Sequence, residues 1–483
     1  MISHLYRYRP ARAVLGKYEE LAKQEIYFSP PEELNDPMEG YKDVFWSGDG
    51  IVWRNLLRHY LLCLLKTTAM CVMAGPNFDR AVLKTMIFST DQDLPETPVR
   101  AIYQRACEAF IADPNLQKLI EALANRVTPL RRDELTHTLR ALHPIALSVL
   151  LKQWRREGID GLFRDLDALH THAEAMNEAI ARMHEAIARV TAMKPSEQEA
   201  AEAIFSASEL MAAQTELITD YNNPPSPEAQ ALIFATRDFP VRYVQALDEL
   251  IHPPCFAACF VANPADASMW GTYGDSHTGV CLKFKTAADV EGQPALNLNG
   301  ITGWRGGTGM APEPIRSFHP RSFCKVNYSE SYPEIDFFNS LGRLPIRLLN
   351  AFWYTDAGGE RSTCHSVRSL DTDTWRQKYW EAFQSGAICK TSEWAHEQEY
   401  RLLLWSILND FKDKPSRKLQ YKFSDLSGII FGAKTATEDK LKIMKIVEEK
   451  CRAEKRSEFE FHQAQYSRKD RGFKIAPLSL IRL

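Results

Sequence analysis

No C-x-x-C pair, no unbroken apolar run of membrane length and no large excess of either charge occurs in this chain of 483 residues. Its ten cysteines are scattered, and Cys63, Cys71, Cys281 and Cys389 fall inside apolar runs, where a reduced cysteine behaves as a small hydrophobe. That usage argues against a disulfide scaffold and fits a reducing compartment. His252, Cys255 and Cys259 in "IHPPCFAACF" lie close together, but no second cluster completes four ligands, so no metal site is expected. The stretch "IVWRNLLRHYLLCLLKTTAM" is interrupted by Arg54, Arg58, His59 and Lys66, and "MISHLYRYRP" has no apolar signal core. A cytoplasmic protein with no membrane partner is the expectation. The formal charge of −3 gives no global field for nucleic acid. Residues 411–483 nevertheless hold eighteen Lys and Arg against ten Asp and Glu, a basic end that could meet a polyanion or be a solvated face.

The remaining composition, 45% apolar and 25% charged, is that of a globular protein with room for two or three domains. Short alternating or apolar runs near both ends read as strands, whereas residues 51–250 read as successive helices rich in Ala, Leu, Glu and Arg. The expected organisation is an α+β core formed by 1–50 and 251–483 around a helical insertion at 51–250. Within the insertion, Leu162, Leu166, Leu169, Ala173, Met176, Ile180, Met183, Ile187 and Val190 recur at intervals of four and three, a heptad seam. After the break at Pro195, a capping box from Ser196 to Glu199 opens a second helix carrying Ala200, Ile204, Ala207, Met211 and Ile218. The pattern predicts a coiled-coil hairpin arm over about 162–219, either packed on its own chain or used for a partner protein or self-association.

Three stretches could carry chemistry. "LYRYRP" puts Arg7 and Arg9 on one strand face and Tyr6 and Tyr8 on the other, and two arginines on a core strand call for a carboxylate or a phosphate. "KTSEWAHEQEYRLLLW" reads as a strand with Glu397, Glu399 and Arg401 on one face; carboxylates at i and i+2 suit general-base or charge-stabilising work, or an ion network with Arg7 or Arg9. "NPADASMWGTYGDSHTG" gathers Trp270, Tyr273 and His277 before a strand, an aromatic patch for a planar ligand. Near the start, "EIYFSPPEELNDPMEG" ends an aromatic strand at Ser29 and turns at Asn35-Asp36-Pro37, where Asn35 and Asp36 would cap the next segment or touch ligand.

The set "LYRYRP", "IYFSPPEELNDPMEG", "CFVANPADASMWGTYGDSHTGVCLKF", "WAHEQEYRLLLW" and "SGIIFGAK" resembles a bacterial family catalogued as domain of unknown function 2971, found among phage-defence and abortive-infection genes. Arg7 or Arg9, Ser29 in "YFS" and Glu399 in "EQE" also resemble, in order, the three stations of ADP-ribosyltransferases, although the usual second Thr-Ser pair is missing. That resemblance implies a split antiparallel sheet and an NAD-consuming enzyme, a transferase or glycohydrolase. It implies that Arg7 or Arg9 holds pyrophosphate, that Glu399 stabilises ribosyl charge, and that Ser29 orients it. Glu397 would then activate an acceptor, and Tyr8, Trp270, Tyr273 and His277 would surround the cofactor. The expected role is a toxin or anti-phage effector that modifies a protein or nucleic acid. Two other classes stay open: a non-catalytic sensor or adaptor binding through the arm, and a metal-dependent nuclease using Asp36, Glu39, Glu397, Glu399 and Lys283.

Overall fold

Alternation in "HLYRYR" produces a strand, and the computed structural model places it, His4–Arg9 (β1), inside an eight-stranded sheet. The structure describes the chain except residues 1, 17, 75–77, 81–82, 96–97, 159–194, 307–312, 366–371, 409, 470 and 482–483. The fold is mixed α and β with several sheets, divided into two units. The first comprises Met1–Tyr41, Pro254–Pro333 and Gln384–Leu483, and the second Lys42–Pro253 and Glu334–Phe383.

In the first unit the other strands of the main sheet are Cys255–Val261 (β2), Val280–Lys285 (β3), Cys324–Lys325 (β4), Glu399–Trp405 (β5), Leu426–Phe431 (β6), Glu460–Ser467 (β7) and Gly472–Pro477 (β8). Their order is β4-β5-β2-β1-β3-β6-β7-β8, and every pair is antiparallel except β6 with β7, which the helix Thr437–Ala453 connects. A parallel pair needs such a crossover. A second sheet is built on Glu25–Tyr27, Lys418–Tyr421 and Pro294–Arg305. Leu5, Phe260, Leu282, Phe284, Leu402 and Ile429 of the main sheet share one apolar core with Ile26, Leu298, Leu419 and Tyr421 of the second.

Pairing within the main sheet is uneven. β1 follows β3 over six residue pairs, but meets β2 only at Tyr6 and Val261. Arg7 fills the parting: its Nη2 donates to Tyr27 O at 2.9 Å and its Nη1 to Cys259 O at 3.4 Å, with the guanidinium over the Phe260 ring.

The second unit is largely helical, as the composition of 51–250 implied, but its limits differ. The strand Asp43–Trp46 belongs to it, paired in parallel with Glu334–Asp336. Residues 334–383 join it because Phe337, Phe338, Leu341, Phe352 and Trp353 bury in the same core as Trp53, Leu57 and Leu61. The helix Gly50–Ala74 is the one among the described residues that is long and apolar enough to cross a membrane, yet 67% of its most apolar window is buried inside the protein, as in a core helix. The heptad seam of 162–190 lies outside the described residues. The following helix, Pro195–Asn222, packs through Glu209 and Glu216 on Arg140, while Ile204, Met211 and Ile218 of its apolar side are exposed.

Candidate functional site

A cavity of about 250 Å³ opens in the first unit where β1 and β2 part. Eight of the residues expected from the ADP-ribosyltransferase resemblance and the polar turn line it, Arg7, Tyr8, Arg9, Ser29, Asn35, Tyr273, Glu397 and Glu399, and so does Tyr6. Glu39, Cys259 and Lys390 line it too. Consecutive residues of β1 and β2, from both faces where the strands part, meet the turn after Ser29, the short helix before Tyr273, the strand of Lys390 and the start of β5.

The expected pairing of Arg7 or Arg9 with Glu397 or Glu399 is not what the side chains do. Arg9 is held by Glu20, with Nε donating to Oε2 at 2.7 Å. Arg7 is 6% exposed, donates only to main-chain oxygens and has no carboxylate partner among the described residues. Burial and the neighbouring Arg9 charge lower its guanidinium to about 10, with Glu20 opposing. The reason lies in the pleat: Arg7 shares the Leu5 face of β1, whereas Glu399 follows the opposite face, in register with Val261 and Tyr6.

The glutamates find other cations. Lys390 Nζ lies 2.6 Å from Glu397 Oε2 and 3.7 Å from Glu399 Oε2. Arg401 donates from Nε to Glu399 Oε1 at 2.9 Å and from Nη2 to Oε2 at 3.0 Å, a two-pronged grip. Its Nη1 donates to Glu39 Oε1 at 2.5 Å and to Ala387 O at 2.9 Å. Tyr273 donates its hydroxyl to Glu397 Oε1 at 2.6 Å. Burial alone would raise the Glu399 carboxyl, but the charge and hydrogen bonds of Arg401, helped by Lys390, hold it below its ordinary value. Burial does raise Glu39, against the pull of Arg401. The Tyr273 hydroxyl is raised by burial and by Glu397.

Several expectations are corrected. Glu397 is not on the strand: it ends a short 3-10 helix, Ser392–Glu397, and Gln398 turns with φ 46° before β5 begins at Glu399. Ser29 bonds through its main chain to Ala257, and no hydrogen bond joins its hydroxyl to Glu399 among the described residues. Asp36 lies outside the lining and closes an Asx turn, accepting from Met38 N at 2.9 Å. Trp270 is fully buried, edge-on to Tyr8, with its indole donating to Pro264 O, so it presents no face to a ligand here. His277 is also outside the lining and stacks on Phe473. Lys283 pairs with Glu460, away from the glutamate cluster. Among the described residues no group of three or more His, Cys, Asp or Glu is placed to hold a metal.

Sequence pattern missed Lys390, Glu20 and the bridging position of Glu39. Lys390 sits seven residues before Glu397 in a separate strand, Cys389–Thr391, and Glu39 is distant in sequence from β5, so no local spacing pointed to either. Comparison with known proteins adds little chemistry. No curated protein matches the chain, and no solved structure matches it. Over residues 269–402, which include Tyr273, Lys390, Glu397, Glu399 and Arg401, the chain is similar to the family described as Protein of unknown function (DUF2971).

Proposed function

We propose that the cavity of the first unit binds a phosphorylated ribosyl ligand and cleaves its glycosidic bond, with NAD the ligand implied by the resemblance to ADP-ribosyltransferases. One observation carries the reading. A single cavity is lined by Arg7, a buried cation without a carboxylate partner among the described residues, and by Glu39, Glu397 and Glu399. A buried, uncompensated guanidinium favours an anionic ligand group such as phosphate. Ionised Glu399 suits the positive charge that develops on ribosyl carbon as the bond breaks. Tyr8 and Tyr273 supply aromatic wall, and Arg401 takes the orienting part that the resemblance gave to Ser29. The cavity lies just below the range of about 300–1,000 Å³ usual for small-molecule sites, so it suits a ribosyl group and one neighbour rather than a whole dinucleotide. In this reading the released ribosyl group passes to water or to a protein or nucleic acid, and the role is that of a toxin or anti-phage effector.

Incubation of the purified protein with labelled NAD, protein, DNA and RNA should release nicotinamide. Glu399→Gln, assayed well below its own melting temperature, should lower the rate by about 100-fold or more. Neither turnover nor binding of NAD by the parent would refute the NAD assignment. A sensor or adaptor role is the second reading, favoured because both oxygens of Glu399 are already taken by Arg401, as in a structural pair. Binding of a phosphorylated ligand without turnover would select it.

A further inference from the structure

Three carboxylates and two cations are buried together at the cavity: Glu39, Glu397 and Glu399 against Lys390 and Arg401. Within this bonded cluster that leaves one negative charge in excess, because Arg7 lies on the opposite face of β1 and bonds to none of the three among the described residues, and a buried carboxylate without full compensation tends to take up a proton. The hydrogen bonds indicate which one. Glu399 receives both prongs of Arg401, and Glu397 receives Lys390 and the Tyr273 hydroxyl. Glu39 has one partner among the described residues, the Nη1 of an arginine already committed to Glu399. Its side chain is buried and lines the cavity.

We propose that Glu39 is the proton donor of this cavity, and that the substrate is therefore a riboside whose leaving group must gain a proton as it departs. The proposal rests on the glycosidic reading above and narrows it. The two glutamates that share Arg401 are driven in opposite directions, Glu39 upward by burial and Glu399 downward because Arg401 outweighs burial there. Separation of that kind distinguishes an acid from a charge stabiliser. The groups facing Glu39 are Arg401 and Glu399 of β5, Lys390 and Cys389 of the strand Cys389–Thr391, and Tyr332. In the step, the bond from C1′ to the leaving atom breaks with its electron pair on that atom, which takes the Glu39 proton. Glu399 faces the positive carbon, water adds to it, and the proton of that water returns to Glu39. Riboside and water thus give ribose and the protonated leaving group. Nicotinamide departs from NAD as a neutral molecule without needing a proton, so NAD gains little from Glu39.

Two measurements test this. Against adenosine 5′-monophosphate, whose adenine must be protonated, Glu39→Gln should lose about 100-fold or more in kcat. The loss on NAD should be at least about tenfold smaller. Equal losses on the two substrates, or a parent that cleaves NAD but not the monophosphate, would overturn the donor while leaving glycosidic cleavage standing. If neither is cleaved, both readings fall. The second measurement needs no substrate. A carboxyl with a raised folded pKa stabilises the fold below the ordinary glutamate range, and that contribution is lost as pH rises through the folded value. Glu39→Gln should therefore melt with the parent near about pH 4.5 and above it near about pH 8. A variant that melts below the parent at the higher pH would show that ionised Glu39 stabilises the fold, so that its folded value is not raised, and would overturn the proposal.

Discussion

Two buried polar clusters, one in each unit, are satisfied in different ways. In the helical unit, His59 and His143 are fully buried and burial lowers each to about 4, so both rings are neutral. Each Nε2 lies against a carbonyl oxygen, Ile87 O at 2.9 Å and Ala235 O at 2.7 Å, and must be the N–H donor there. Each Nδ1 then accepts from a tyrosine, Tyr243 at 2.8 Å and Tyr60 at 2.7 Å. The network is neutral and saturated. In the sheet unit, the cluster around Arg401 is charged, unequally paired and open to a cavity. Neutral saturated networks specify a core, whereas buried charges are weak contributors to stability, and their presence beside a cavity points to a task other than folding.

The comparison can be broken most directly at its charged end. Arg401→Met should cost about 3–5 kcal/mol in denaturant unfolding, because it strands the ionised Glu399, and the loss should shrink in acid as that carboxylate takes a proton. A loss below 1 kcal/mol at neutral pH would mean the cluster is not buried as described. Glu399→Gln should cost about 1.5–3 kcal/mol at pH 7, less than Arg401→Met because Arg401 keeps its hydrogen bonds to Glu39 and Ala387 O. Since Glu399 is held low in the folded state, its contribution is present above the ordinary glutamate value of about 4.3 and fades as pH falls below it. The gap between parent and variant should close there; a pH-independent gap would point to packing instead.

At the neutral end, Tyr60→Phe leaves His143 Nδ1 without a donor and should cost about 1–3 kcal/mol, with ligand binding in the other unit unchanged. Altered binding would show that the two networks are coupled. The smallest effect is expected from Met211→Ser with Ile218→Ser on the exposed side of Pro195–Asn222, within about 0.5 kcal/mol by thermal melting. A larger loss, or a change in particle mass by light scattering, would reveal that this stripe is covered in solution.

Local sequence pattern alone determined where the strands of Arg7 and Glu399 run, that the described part of 51–250 is mainly helical, and that the polar residues after Phe28 turn at Asp36, because pleat, helix period and Asx turns act over a few neighbouring residues. It also named Arg7, Tyr8, Arg9 and Glu399 of the cavity lining, since charged and aromatic residues on core strands are conspicuous. Tertiary structure decided the pairing. Arg7 and Glu399 are in neighbouring regions of one sheet yet on opposite faces, Arg9 turns to Glu20 on the helix that soon follows β1, and packing of segments hundreds of residues apart sets Arg401 on Glu39. The same long-range packing drew 334–383 into the helical unit, because burial depends on proximity in space, which local spacing does not encode.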